Sequence, residues 1–143
     1  MTEFAPMMRV AIAEAEKAAE RGEVPVGAAL VDPERQVVLA QAGNQTRLGS
    51  DPTAHAEMLV IREACARLGR ERLSGLDLYV TLEPCAMCAG AISAARISKL
   101  IYGASDPKSG GVEHGARVFD HPQSHHHPKV IACVSESQCA SLM

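Results

Sequence analysis

The sequence predicts an α/β fold, a three-layer α/β/α sandwich built on a five-stranded mixed sheet. Strand-like apolar runs alternate with helix-like patterns along the chain, and the first of these runs is nearly uninterrupted, as in a strand covered on both faces. A third observation is size: 143 residues, 47% of them apolar, supply one sizeable core and not two, so one domain is expected across residues 1–143.

From Ala5 to Glu20, Met8, Ala11, Ile12, Ala15 and Ala19 recur at helical spacing, charged residues fill the other faces, and Gly22 is placed to stop the helix. Val24 to Val31 and Gln36 to Ala40, joined by Asp32-Pro33-Glu34-Arg35, read as a β-hairpin. Gly43-Asn44-Gln45-Thr46 then leads through a polar loop to Thr53, expected to cap a second helix. That helix carries an apolar stripe of Met58, Ile61, Ala64, Cys65 and Leu68 and ends near Gly69. Leu78 to Leu82 reads as a short central strand, and Pro84 opens a third helix that continues through Ala95. Lys99 to Gly103 is the fourth strand, Lys129 to Val134 the fifth, and a long loop joins them. Ser135 with Gln138 reads as the capping box of a last, short helix.

The first residues lack a basic start followed by an apolar run, and no stretch of about 18 uncharged apolar residues occurs, so a soluble, cytoplasmic protein is expected. Five cysteines, an odd count, argue against a disulfide framework; Cys65, Cys133 and Cys139 are expected in the core. The net charge of −3 gives no global attraction to nucleic acid. Basic residues are in excess only after the first hairpin, as solvated faces or as a modest phosphate-tracking surface. His114, His121 and the run His125 to His127 could form a second metal site, but their uneven spacing in a Gly/Pro-rich loop favours a solvent-facing or substrate-facing loop.

The chemistry concentrates between His55 and Cys88. His55 offers an imidazole nitrogen, Cys85 and Cys88 offer two sulfurs at Cys-x-x-Cys spacing, and no fourth ligand stands beside them. Three protein ligands with an open position is the catalytic zinc pattern. A closed structural site would need a fourth donor, and Cys65 stands about 15 Å along the helix from His55 by helical rise. Glu57, two residues after His55, supplies a carboxylate able to move a proton to or from water at such a centre.

His55-Ala56-Glu57 together with Pro84-Cys85-Ala86-Met87-Cys88 resembles the zinc-dependent cytidine/deoxycytidylate deaminase superfamily. Glu23-Val24-Pro25-Val26-Gly27-Ala28, Asp51-Pro52-Thr53-Ala54-His55-Ala56-Glu57, Leu78-Tyr79-Val80-Thr81-Leu82-Glu83-Pro84-Cys85 and Tyr102-Gly103-Ala104-Ser105-Asp106-Pro107-Lys108 further resemble the bacterial tRNA-specific adenosine deaminases, a likeness that runs from residue 5 to residue 140. It implies a cytidine deaminase-like fold, one Zn2+ per chain on His55, Cys85 and Cys88, and conversion of a tRNA wobble adenosine to inosine by a homodimer, with Glu57 as proton shuttle. It further implies that Asn44 hydrogen-bonds the flipped base and that backbone groups of Ala56 and Glu83 meet base and amine. Asp106 and Lys108 match positions that contact ribose and backbone of flanking nucleotides, where a 2′-hydroxyl partner selects RNA over DNA. Family members continue into a longer C-terminal helix with aromatic and basic residues, whereas this sequence closes with Cys139-Ala140-Ser141-Leu142-Met143. A deaminase of free guanine, cytosine or cytidine, on the same fold, remains the alternative, and a non-catalytic zinc protein stands third.

Overall fold

A computed structural model describes residues 2–143, as four α-helices and five strands. After one 3-10 turn the chain enters α1 (Ala5–Glu20), which has a proline in its first turn, where a missing N–H costs nothing. It then forms the hairpin β1 (Gly27–Asp32) and β2 (Val37–Gly43), α2 (Ala56–Leu68), β3 (Asp77–Leu82), α3 (Ala86–Ala94), β4 (Lys99–Ala104), β5 (Lys129–Ile131) and α4 (Glu136–Ser141).

The sheet order is β2-β1-β3-β4-β5. β1 runs antiparallel to β2 and β3, while β4 runs parallel to both β3 and β5. The sheet is mixed as expected, with β3 at its centre, and both β1 and β3 are buried at every position but the last. Alternate residues of these strands face opposite layers. Ala28, Leu30, Leu78 and Val80 pack with Val60, Ile61 and Ala64 of α2 and with Ala89 and Ile92 of α3. Ala29, Val31, Tyr79 and Ile101 pack with Met8, Ala11 and Ile12 of α1 and with Cys139 of α4. The period of two along each strand therefore builds two cores at once.

The element ends differ from the sequence reading in physically specific ways. Thr53 does not cap α2: its N–H and hydroxyl both go to Asp51 Oδ1, and the cap position is His55. The apolar face of α2 is Ala56, Val60, Ile61 and Ala64, so Met58 and Cys65 are half-buried and Leu68 is exposed. On α1 the last buried alanine is Ala18, Ala19 being exposed. α3 begins one residue after Cys85, which leaves Pro84 outside the helix. β5 is only three residues long, because the chain turns at Cys133, whose φ is 63°. Cys133 is therefore exposed, Cys65 half-buried, and only Cys139 of the three is a core residue. Ser135 precedes α4 at φ 55° and makes no side-chain cap bond, so the expected capping box is absent.

α1 lies against β1 at a glycine. A methyl group on Gly27 would stand 2.5 Å from the Ala15 backbone nitrogen and closer still to the Ala11 carbonyl. Backbone atoms of a packed helix cannot step aside as a side-chain tip can. Gly27→Ala is expected to destabilise the fold by about 3 kcal/mol, the upper end for overpacking, read as a lowered urea midpoint at unchanged slope.

Candidate active site

Four chain ends meet along one edge of the sheet: the starts of β1 and α2, and the exits of β2 and β3. The exit of β4 joins them, because β4 runs parallel to β3. Open α/β sheets bind ligands outside the carboxyl ends of their parallel strands, where adjacent loops part. A cavity of about 410 Å3 lies there, lined among others by Asn44, His55, Glu57, Glu83, Cys85, Asp106 and Lys108. Its volume is ordinary for a small-ligand site.

His55 and Cys85 each occupy the position before a helix, with extended backbone (ψ 151° and 176°), so both side chains project from helix starts instead of helix flanks. Cys88, one turn into α3, is fully buried. His55 Nδ1 stands 3.6 Å from Cys85 Sγ and 3.4 Å from Cys88 Sγ, and the three ligand atoms lie within 4.8 Å of one another. Zinc–nitrogen and zinc–sulfur bonds of about 2.0 and 2.3 Å at a tetrahedral angle imply N···S edges of about 3.5 Å. The donor set thus fits a tetrahedral dication in spacing as well as in chemistry. It is the one such group among the described residues; the loop histidines form none.

The local electrostatics agree with that fit. The Cys88 thiol and the N–H groups of Cys88 and Met87, with His55, overcome burial and bring Cys85 down to about 5. Cys88, buried beside Cys85, is pushed well above the usual thiol range. Glu57 is buried, its Oε1 has no hydrogen-bond partner, and burial pushes its carboxyl up to about 7. An orphaned oxygen inside the cavity wall is poised for a proton.

Asn44 is buried at the exit of β2 and ties three segments together. Its N–H donates to Val26 O, its carbonyl accepts from Arg21, and its Oδ1 accepts the Ala56 N–H at 2.8 Å. Asn44 is thus the side chain that caps α2, from 12 residues away, and its amide retains N–H donors to offer a ligand. Of the Ala56 backbone groups, the N–H is engaged by this bond. Glu83 lines the cavity, but its carboxylate is turned to the loop after β4, where it accepts from the backbone of Asp106, Val112, Glu113 and His114 and from the His114 ring. Asp106 is half-buried and Lys108 exposed at the rim.

No loop histidine lines this cavity. The His126 ring donates from Nε2 to Ile97 O, 2.6 Å away, and His121 Nδ1 accepts the Gln123 N–H. Thr46, Leu82 and Ser109 do line it, as does Glu23's neighbour Val24. None of these stands out in the sequence, because each is brought there by the loops that flank it.

The zinc-binding region of cytidine and deoxycytidylate deaminases matches residues 1–104. A tRNA-specific adenosine deaminase of Agrobacterium fabrum is 55% identical over 143 residues, covering 100% of this chain and 93% of that protein. The tRNA-specific adenosine deaminase of Bacillus subtilis is 44% identical over 143 residues, covering 100% and 88%. A solved structure from work on A-to-I editing by tRNA:A34 deaminases at the wobble position of transfer RNA superposes with a TM-score of 0.93 at 55% identity, over 96% of this chain and 98% of that one. With the fold, the His/Cys/Cys cluster and these relatives in agreement, the chain belongs to the cytidine and deoxycytidylate deaminase family, among the tRNA-specific adenosine deaminases.

Proposed function

We propose that this chain converts adenosine to inosine at the wobble position of a tRNA anticodon by zinc-dependent hydrolysis, with residues 1–143 acting as one deaminase domain. The observation that carries the reading is the buried, unpartnered Glu57 oxygen beside the His55, Cys85 and Cys88 donors in a nucleoside-sized cavity. His55, Cys85 and Cys88 would hold the zinc, which when bound supplies Lewis acidity toward water. Glu57 takes one proton from the attacking water and passes it to the purine ring nitrogen, then moves the remaining proton from the new C6 hydroxyl to the departing amine as the C6 carbonyl forms. Water is consumed and ammonia leaves. Burial supports this use, because a carboxyl raised toward neutrality both accepts and donates a proton readily.

Asn44 offers amide N–H groups to the base, held in place by its bond to Ala56. Asp106 and Lys108, at the rim, face the nucleotides on either side of the target. The family's homodimer belongs to the same reading. A largely apolar recess of about 340 Å3 between α3 and residues 116–125, lined by Gly90, Ala94 and Val118, supports it. A cytoplasmic setting is supported by five free cysteines, and among the described residues no helix is long and apolar enough to cross a membrane.

The direct test is inosine formation and ammonia release by the zinc-loaded protein. An arginine tRNA anticodon stem-loop bearing a wobble adenosine is compared with free guanine, cytosine, adenosine and cytidine. Inosine in the stem-loop supports the proposal; turnover of free bases or nucleosides alone moves the chain to the small-substrate alternative. Glu57→Ala is expected to keep one zinc per chain and the wild-type melting temperature while losing about 10²–10⁴-fold or more in kcat. Cys88→Ala is expected to lose the metal itself, read by elemental analysis of the purified variant, because two ligands remain where three are needed.

A further inference from the structure

Two walls of the cavity are built from chain with no ladder to hold it. One is the segment from Asn44 to His55, which presents Asn44 and Thr46; the other is the segment after β4, which presents Asp106, Lys108 and Ser109. Each is gathered onto a single buried carboxylate that lies outside it in sequence. Glu23 accepts from the Thr46 hydroxyl at 3.2 Å, from the Arg47 N–H at 3.1 and 3.2 Å and from the Leu48 N–H at 2.9 Å. The Arg47 guanidinium also reaches back to Gly22 O.

Glu83 does the same on the other side. Its Oε1 accepts the Asp106 N–H at 3.0 Å and the His114 ring at 2.8 Å, and its Oε2 accepts the N–H groups of Val112, Glu113 and His114 at 3.2, 2.9 and 3.0 Å. The side chain is 0% exposed. The chain closes so tightly around it that a methyl on Gly110 would stand 2.5 Å from Glu83 Cδ and from Asp106 O. A carboxylate offers about four lone-pair sites. With five donors on it, Glu83 has no capacity left for a substrate.

We propose that Glu23 and Glu83 are positioning residues, each setting one wall of the substrate cavity through the loop it gathers, with neither carboxylate touching the substrate. This rests on the reading of the cavity as the tRNA site. Backbone N–H groups converging on one point fix a loop as a ladder fixes a strand, and a displacement of about 1 Å at a substrate contact is worth up to about 10²-fold in catalysis. A purely structural role would lower stability and leave substrate affinity alone.

Glu83→Gln and Glu23→Gln test the proposal, because an amide of the same shape turns one acceptor oxygen into a donor facing N–H groups. The expected result is a stem-loop KM raised about tenfold with kcat within about threefold, and one zinc per chain retained. Hydrogen exchange is expected to quicken at residues 106 and 112–114 in Glu83→Gln and at 47 and 48 in Glu23→Gln, each variant sparing the other loop. Ile12→Val, in the α1 layer, serves as the control that lowers stability without moving KM. An unchanged KM, a loss confined to kcat or zinc content, or exchange raised evenly through the molecule would overturn the proposal. If Glu83→Gln does not fold, His114→Ala removes one half-exposed donor, and unaltered exchange at 112–114 then overturns it. Wild-type protein inert toward the stem-loop would instead reject the tRNA reading, with the exchange experiment still deciding whether the carboxylates anchor the loops.

Discussion

Two soft sulfurs and an imidazole nitrogen, from segments 30 residues apart, come to tetrahedral spacing, and the rest of the molecule is arranged to meet that condition. It is met by starting two helices side by side on one face of the sheet, each with a ligand at the position before its first turn. The arrangement has an electrostatic cost. A helix start carries about half a positive charge, and two of them converge where a dication would sit. Two thiolates cancel the formal charge of a dication, and at Cys85 the Cys88 thiol, joined by the N–H groups of Cys88 and Met87 at the start of α3, lowers the thiol against the pull of burial. What opposes the metal favours its ligands. The Cys-x-x-Cys spacing places the second sulfur one turn down α3, where burial holds it rigidly.

The order of the strands then decides what surrounds that centre. The hairpin runs antiparallel onto the middle strand, so the start of β1 and the exits of β2 and β3 share an edge. Much of the cavity lining arrives there at strand ends: Val26 entering β1, Asn44 leaving β2, Leu82 and Glu83 leaving β3, and Asp106 just past β4. Asn44 joins the sheet edge to the metal ligands by capping the helix that follows His55. The cap, the cavity-lining amide of Asn44 and the position of His55 are mechanically one unit. Close approach of α1 at Gly27 and Gly43 backs the opposite side of this edge, so the site is set against a packed layer and not a mobile one.

The elements were legible because their periodicities are local: the 3.6 repeat of Met8, Ala11, Ile12 and Ala15, and the unbroken run of β1, need no partner to be seen. The ligands were legible for a different reason, since His, Glu and paired Cys at fixed spacing carry their chemistry in the side chain. What escaped is whatever depends on a distant donor. Thr53 has the right chemistry for a cap, but Asp51 takes its hydroxyl and Asn44 does the capping from across a loop. Ser135 and Gln138 match a capping box that the left-handed backbone at Ser135 does not permit. The carboxylate of Glu83, to which the sequence assigns no partner, is saturated by a loop up to 31 residues away. Such a partner is chosen by the fold, and no local pattern announces it.

Three buried glutamates show how completely environment sets the work of one side chain. Glu23, Glu57 and Glu83 are all nearly inaccessible, at 5%, 4% and 2% exposure, and burial alone would push each carboxyl up. At Glu23 and Glu83 burial is the largest single influence, yet N–H and hydroxyl donors outweigh it together and hold both below the usual carboxylate range. Those two stay charged, and their charge organises backbone. At Glu57 burial is not outweighed, one oxygen has no partner, and the carboxyl rises to about 7. The difference is the number of donors that the surrounding chain turns inward. A saturated carboxylate cannot shuttle a proton, because losing its charge would strand every N–H that points at it. An unsaturated one cannot hold a loop, because nothing converges on it. The site needs both kinds, and the fold makes them from one residue type by deciding where the loops close.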